Sequence, residues 1–97
     1  MKPPAVLVIE DDAAIRRLLQ TALIREGYRV IEAIDARAAM ASLSIDKPDA
    51  VLLDLGLPDR DGLELVPLIK AAGCALIVVS ARGDTDQKVT EIGRAHV

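Results

Sequence analysis

Aromatic rings are almost missing from this chain: among 97 residues there is one Tyr, Tyr28, with no Trp and no Phe. A core without rings has to be aliphatic, and hydrophobic residues at 52% are enough to build one. Val, Ile, Leu and Ala interdigitate well where helices pack on a buried sheet. Cysteine is also scarce. The lone Cys74 has no partner within the chain, which excludes an internal disulfide and a small secreted disulfide framework. Placed ahead of an apolar run, it reads as a small buried hydrophobe. His96 is the one histidine, and without a second His or a Cys partner it makes no metal site. Basic clusters are absent and the net charge is −3, which argues against nucleic-acid binding by this segment. The apolar runs are too short to span a membrane and the N-terminus lacks a leader pattern. A cytoplasmic location and no membrane partner are therefore expected, and the length allows one domain.

The residues that are present alternate between two patterns. Ala5–Ile9 is a short apolar run that ends in acid at Glu10-Asp11-Asp12. From Asp12 to Glu26 the apolar residues Ile15, Leu18, Leu19, Ala22 and Leu23 fall at helical spacing, with Asp12 as a cap and Gly27 as a stop. Residues 29–34 read as a second strand. Asp35 can cap a second helix with Ala36, Ala39, Met40 and Leu43 on its inner face. Pro48 and Asp49 break the chain, and residues 50–53 form a third apolar strand ending at Asp54. A loop rich in Gly, Pro and Asp follows to Gly62. Asp61 and Glu64 resemble a capping box, and Leu65, Leu68, Ile69 and Ala72 share one helical face. Pro67 predicts a late start or a kink in that helix. Residues 75–79 are a fourth strand, after which Asp84 and Gln87 can cap a fourth helix. Strands apolar on both faces, alternating with helices, predict an α/β doubly wound parallel sheet covered on both sides.

In such a sheet ligands bind beyond the carboxyl ends of the strands, where strand order reverses. The first strand ends at Glu10-Asp11, the third at Asp54 and the fourth at Ser80-Ala81. If these strands are neighbours, the side chains share one mouth. Three crowded carboxylates repel one another, and a hard divalent cation such as Mg²⁺ relieves that repulsion through oxygen ligands. A carboxylate can also act as a nucleophile and form an acyl phosphate, with the Ser80 hydroxyl placed to hydrogen-bond a phosphoryl oxygen. Taken singly, each residue has a plainer reading. Glu10 and Asp11 can be a solvated strand end, Asp54 a loop-starting Asp, Ser80 a turn or cap residue, and Asp12 a helix cap. The joint pattern at alternating strand ends favours a site.

Three stretches, Val8-Ile9-Glu10-Asp11-Asp12, residues 51–62 with Asp54, Pro58 and Gly62, and Val78-Val79-Ser80-Ala81-Arg82, resemble the response-regulator receiver family. The similarity runs over residues 6–89. It implies a flavodoxin-like (CheY-like) sheet of strand order 2-1-3-4, with Asp54 as phosphoacceptor. It further implies that Glu10, Asp11, Asp54 and the backbone carbonyl of Gly56 hold Mg²⁺, and that Ser80 contacts the phosphate. The implied partner is a sensor histidine kinase. DNA would be reached only through a C-terminal effector domain that this chain does not contain, and a phosphorylation-dependent homodimer belongs to the full-length parent. The Leu55-Gly56-Leu57-Pro58-Asp59 loop and the Ala14-Ile15-Arg16-Arg17 stretch look like the winged-helix transcription-factor branch, and within it the potassium-transport regulators.

The chain departs from the family pattern at its end. The family's fifth strand, with its Lys, and its fifth helix are missing, which predicts an open edge at the fourth strand. Translating ATCGGAAGAGCACACGTC gives residues 92–97, and that string looks like sequencing-library adapter. Residues 1–90 are therefore expected to be an incomplete receiver domain and residues 91–97 a non-native tail. Two other functions compete with a non-enzymatic receiver. A phosphorylation-independent pseudo-receiver is disfavoured by the intact acidic residues. An aspartyl-phosphate phosphatase of the haloacid-dehalogenase type needs a second Asp two residues after the nucleophile, where this chain has Gly56.

Overall fold

The computed structural model describes residues 2–79 and 89–91. Five parallel or antiparallel strands make one sheet in the order β2-β1-β3-β4-β5. The strands are β1 Ala5–Ile9, β2 Arg29–Ala33, β3 Ala50–Asp54, β4 Ala75–Val79 and β5 Val89–Glu91. The helices are α1 Ala13–Arg25, α2 Ala36–Ile45 and α3 Val66–Ala71, the last preceded by a 3₁₀ turn over Gly62–Leu65. β1 pairs in parallel with both β2 and β3, and β3 pairs in parallel with β4. The doubly wound fold and the 2-1-3-4 order of its parallel strands are as expected.

The period-two alternation of the strands splits their side chains between two faces. Leu7, Ile9, Ala33, Val51, Leu53, Leu76 and Val78 form one buried cluster with Ala36 and Ala39 of α2, Leu57, Leu65 and Ile69. The other face carries the buried Val6 and Val8 and the half-buried Leu52, Ile77 and Val79. α1 packs on β1 and β2. Leu18 of α1 is 69% exposed and Ala22 is exposed as well, so two of its five helical-spaced apolar residues turn away from the sheet. Ile15, Leu19 and Leu23 of the same helix are half-buried.

Chain ends and turns follow local chemistry. Asp12 caps α1, its carboxylate accepting from the Ala14 and Ile15 amides at 2.9 and 3.2 Å. Gly27, with φ of 94°, follows the helix in the left-handed region that glycine tolerates. The misfit of Pro67 is resolved by the 3₁₀ turn, which delays α3 so that Pro67 falls in its first turn, where no amide bond is lost. Leu65 and Ile69 are buried as expected. Leu68 and Ala72, expected on the same face, are exposed, because the tight 3₁₀ start rotates the helix away from a regular 3.6-residue pattern. At the amino end of the sheet Asp49 acts as a clamp rather than a simple breaker. Its carboxylate accepts from the Ala5 amide at 2.8 Å, its amide donates to the Ala5 carbonyl at 2.8 Å, and its carbonyl accepts from Ala75 at 3.1 Å. Cys74 donates to the Pro48 carbonyl at 3.2 Å, and burial raises its pKa, which keeps it a thiol.

The edge of β4 is a correction. The sequence predicted it open; instead β5 pairs antiparallel to it, with Ile77 opposite Glu91, Val78 opposite Thr90 and Val79 opposite Val89. This is not the parallel fifth strand of the receiver pattern. Pairing the edge satisfies main-chain groups that would otherwise face solvent. The proposed fourth-helix cap at Asp84 and Gln87, Ser80, His96 and residues 92–97 lie outside the described residues.

Candidate functional site

The register of the sheet assembles the acidic residues. Ile9 of β1 is the partner of Leu53 of β3. The next residue on each strand, Glu10 and Asp54, therefore sits beside the other as the chains leave the carboxyl end of the sheet. This is also the switch point, because the connection leaving β1 runs to β2 on one side while the connection leaving its neighbour β3 runs to β4 on the other. Asp11 joins them: one carboxylate oxygen from each of Glu10, Asp11 and Asp54 lies within 4.8 Å of the others. Glu10 is 4% exposed and Asp54 8%, whereas Asp11 is open to solvent.

Each carboxylate is held differently. Glu10 stays in the ladder through its amide, which donates to the Ala33 carbonyl at 3.0 Å, and its side chain accepts from the Asp12 amide at 3.0 Å. Burial raises the Glu10 pKa above its ordinary value; the Asp12 amide opposes that, and the neighbouring charges of Asp54, Asp11 and Asp12 add to it. The pocket thus holds more negative charge than its hydrogen bonds offset. Asp54 Oδ1 accepts from the Gly56 amide at 3.2 Å, an Asx-type turn that orients the carboxylate. An all-oxygen set with uncompensated charge fits a hard divalent cation and does not fit a soft one.

The loop that carries Asp54 is fastened at three points. Gly62 returns to it, donating to the Leu55 carbonyl at 3.1 Å. A Cβ at Gly62 would lie 2.8 Å from the Asp54 carbonyl oxygen and 2.8 Å from Leu55 Cα, so the close approach requires glycine. Asp59 reaches across to α2, where Oδ1 accepts from Ala36 at 2.8 Å and Oδ2 from Arg37 at 3.0 Å. Those bonds, the Ala36 amide first, lower its pKa. Asp61 caps the 3₁₀ turn through Leu63 at 3.0 Å, and no reciprocal bond from Glu64 is seen among the described residues; Glu64 pairs with Arg60 at 3.4 Å instead.

The structure therefore brings Glu10, Asp11 and Asp54 together and puts Gly56 against Asp54. Ser80 follows Val79, the register partner of Asp54, but lies outside the described residues. Sequence reading passed over Asp59 as a site-supporting residue, because Asp35 already offered itself as the α2 cap and does accept from Ala38 at 2.9 Å. It also read Arg16 only as part of a resemblance. Nothing in the spacing of either residue announces a partner sixteen or more positions away.

Comparison with known proteins bears on what this arrangement is for. The profile of the family described as response regulator receiver domain matches residues 6–96. The KDP operon transcriptional regulatory protein KdpE of Escherichia coli is 42% identical over 90% of this chain and 39% of its own length. The transcriptional regulatory protein KdpE of Staphylococcus aureus is 50% identical over 79% of this chain and 34% of its own. The chain thus spans less than two fifths of the length of these curated relatives. Among solved structures, a CheY-like response regulator receiver domain protein from Methanospirillum hungatei superposes with a TM-score of 0.79 at 29% identity, over 88% of this chain and 70% of that one. A response regulator receiver protein from Pseudomonas putida does so at 0.75 and 33% identity, over 89% and 73%. No helix among the described residues is long and apolar enough to cross a membrane.

Proposed function

The chain belongs to the response regulator receiver family, and from that premise we propose that it is a phosphoacceptor switch in which Asp54 takes a phosphoryl group from a sensor histidine kinase. Asp54 Oδ1 is engaged by the Gly56 amide, so Oδ2 is the oxygen that attacks phosphorus. The P–O bond to Asp54 forms, the P–N bond to the kinase histidine breaks, and its electron pair stays on the imidazole nitrogen. The product is an acyl phosphate. Glu10, Asp11, Asp54 and the carbonyl of Gly56 are the ligands we assign to Mg²⁺. When bound, that ion would offset the charge of the phosphoryl oxygens and of the crowded carboxylates. The Ser80 hydroxyl is the group we assign to hydrogen-bond a phosphoryl oxygen, a new bond that would turn the local charge into a signal.

The observation that carries this reading is the convergence of three carboxylates within 4.8 Å at the switch point of the sheet. The KdpE relatives are named transcriptional regulatory proteins, and we assign the parent to the same role: a cytoplasmic regulator with a DNA-binding effector domain that dimerises on phosphorylation. The domain stores the phosphoryl group on its own Asp54 and is not a turnover enzyme. Residues 1–90 are assigned to the receiver unit and residues 91–97 to a non-native tail. The family match extends to residue 96, so resequencing the gene through codon 90 decides that boundary. For the central claim, the protein is incubated with a small phosphodonor and Mg²⁺ and its intact mass measured. One added phosphoryl group is expected on the wild type and none on Asp54→Asn. An undiminished adduct on Asp54→Asn refutes the assignment.

A further inference from the structure

Two adjacent arginines of α1, Arg16 and Arg17, have different surroundings. Arg17 is exposed. Arg16 is turned toward the sheet, with its side chain 18% exposed. Its Nη1 donates to the main-chain carbonyl of Glu10 at 3.0 Å and lies 3.5 Å from that of Asp11. Its Nε donates to Glu32 Oε1 of β2 at 3.2 Å. Glu32 precedes the core-facing Ala33, so strand alternation places it on the α1 side of the sheet. One planar guanidinium therefore joins three elements: the turn after β1, the first turns of α1, and the end of β2. Such a fork is pre-organised, and lysine cannot reproduce it.

We propose, on the reading of the acidic cluster given above, that Arg16 is a positioning residue that presents Glu10 and Asp11 to Asp54. The turn it grips is only two residues long between β1 and the α1 cap Asp12. Within it Glu10 must point into the sheet mouth while Asp11 stays open to solvent, and the two carboxylates must still lie within reach of Asp54. The Asp12 amide fixes the Glu10 side chain. Arg16 holds the carbonyl of Glu10 and lies near that of Asp11, whose peptide unit also carries the Asp12 amide, and Glu32 fixes Arg16. The guanidinium binds main-chain oxygens and not the clustered carboxylates, so its role is orientation.

The sign of the effect separates this role from simple charge. Removing a cation near a cation site tightens metal binding through Coulomb's law. Removing a group that orients the ligands weakens it, commonly by about 10–100-fold. The experiment uses the 97-residue chain, with Mg²⁺ affinity read by calorimetry. The Mg²⁺ dependence of adduct formation from a small phosphodonor is followed in parallel. Arg16→Gln is expected to raise the Mg²⁺ concentration for half-saturation about tenfold, with the rate at saturating Mg²⁺ unchanged. Arg16→Lys recovers part of the loss, and Glu32→Gln shifts it in the same direction. Arg17→Gln, one residue away and of equal charge, leaves it unchanged or slightly tighter. Glu32 is a third exposed on its side chain, so Glu32→Gln carries the test if Arg16→Gln does not fold. The proposal is overturned if both variants bind Mg²⁺ as the wild type does, or tighter, while Asp11→Asn abolishes binding; the reading of the site then survives. If the wild type binds no Mg²⁺ at all, the site reading falls and this role falls with it.

Discussion

Gly62→Ala adds one methyl group at a place where the backbone leaves no room for it. The new Cβ would stand 2.8 Å from both the Asp54 carbonyl oxygen and Leu55 Cα, where ordinary contacts begin at 3.4 Å. Both neighbours are main chain at the end of a buried strand, so neither can rotate away. The loop must retreat by roughly half an ångström or more, a strain of the kind that costs about 1–3 kcal/mol in packed interiors. The retreat also stretches the 3.1 Å bond from the Gly62 amide to the Leu55 carbonyl, a bond contributing about 1 kcal/mol. One effect opposes these. Gly62 is not among the positive-φ residues, so alanine is allowed there and stabilises by about 0.4–1 kcal/mol through the unfolded chain. The net expectation is a loss of about 1–3 kcal/mol. For a domain of this size that lowers the melting temperature by roughly 4–8 °C per kcal/mol. Thermal melts followed by circular dichroism measure it, and Mg²⁺ titration of the same protein reports on the acid, because the displaced atoms belong to Asp54 and its neighbour. A variant that melts within about 2 °C of the wild type and binds Mg²⁺ equally well would refute the steric argument.

Three further outcomes follow from the same geometry. The raised Glu10 pKa means that the folded state holds its proton to higher pH than the unfolded chain does. Stability from that group is present below its ordinary value of 4.5 and is lost as pH rises through the folded value. Metal-free protein should therefore gain stability on mild acidification from pH 7, and Glu10→Gln should remove that gain; a melting temperature that falls steadily with acidification, alike in both proteins, contradicts it. Asp59 has the opposite sign, since its pKa is lowered and its contribution is lost as pH falls. Asp59→Ala is expected to speed hydrogen exchange at the Ala36 and Arg37 amides while leaving Mg²⁺ affinity nearly unchanged, and unchanged exchange there would show that the cap is not formed in solution. In the core, Leu7→Ala should cost about 2–5 kcal/mol by chemical denaturation. Ile45→Ala, at a side chain 76% exposed, should stay within about 0.5 kcal/mol; similar losses at the two positions would contradict the burial pattern.

Most of the fold could be read from the sequence because its signals are local. The apolar runs at residues 5–9, 50–53 and 75–79 became β1, β3 and β4 almost residue for residue. Asp12, Asp35 and Gly27 marked helix boundaries because capping and left-handed turns involve amides only two or three residues away. What periodicity could not supply was which neighbour each face meets. Leu18 and Leu19 both fall within the apolar arc of a helical wheel, yet Leu18 is exposed and only Leu19 is half-buried. Leu68 fell off the inner face because a 3₁₀ turn, demanded by Pro67, shifted the phase of α3. The β5 pairing was missed for a related reason: three residues, Val89–Glu91, are too few to carry a period.

The candidate site divides along the same line. Its carboxylates were legible because each ends an apolar strand, and parallel pairing without a register slip brings strand ends together. The Ile9–Leu53 pairing is all that is needed to set Glu10 beside Asp54. The residues that hold those carboxylates in place were not legible, since their partners are either distant in sequence or main-chain atoms. Asp59 binds amides 22 and 23 positions before it, and Arg16 reaches Glu32, 16 positions after it. A main-chain carbonyl or amide is present at every residue, so no residue type at the receiving end could mark the contacts of Asp59 with α2 or of Arg16 with the Glu10 carbonyl. Gly62 lies between the two cases. Its place eight residues after Asp54 was part of a recognisable pattern, but the pattern said nothing of the cause. The cause is a backbone that passes so close to the carbonyl of Asp54 that a side chain of any kind would push that residue out of place.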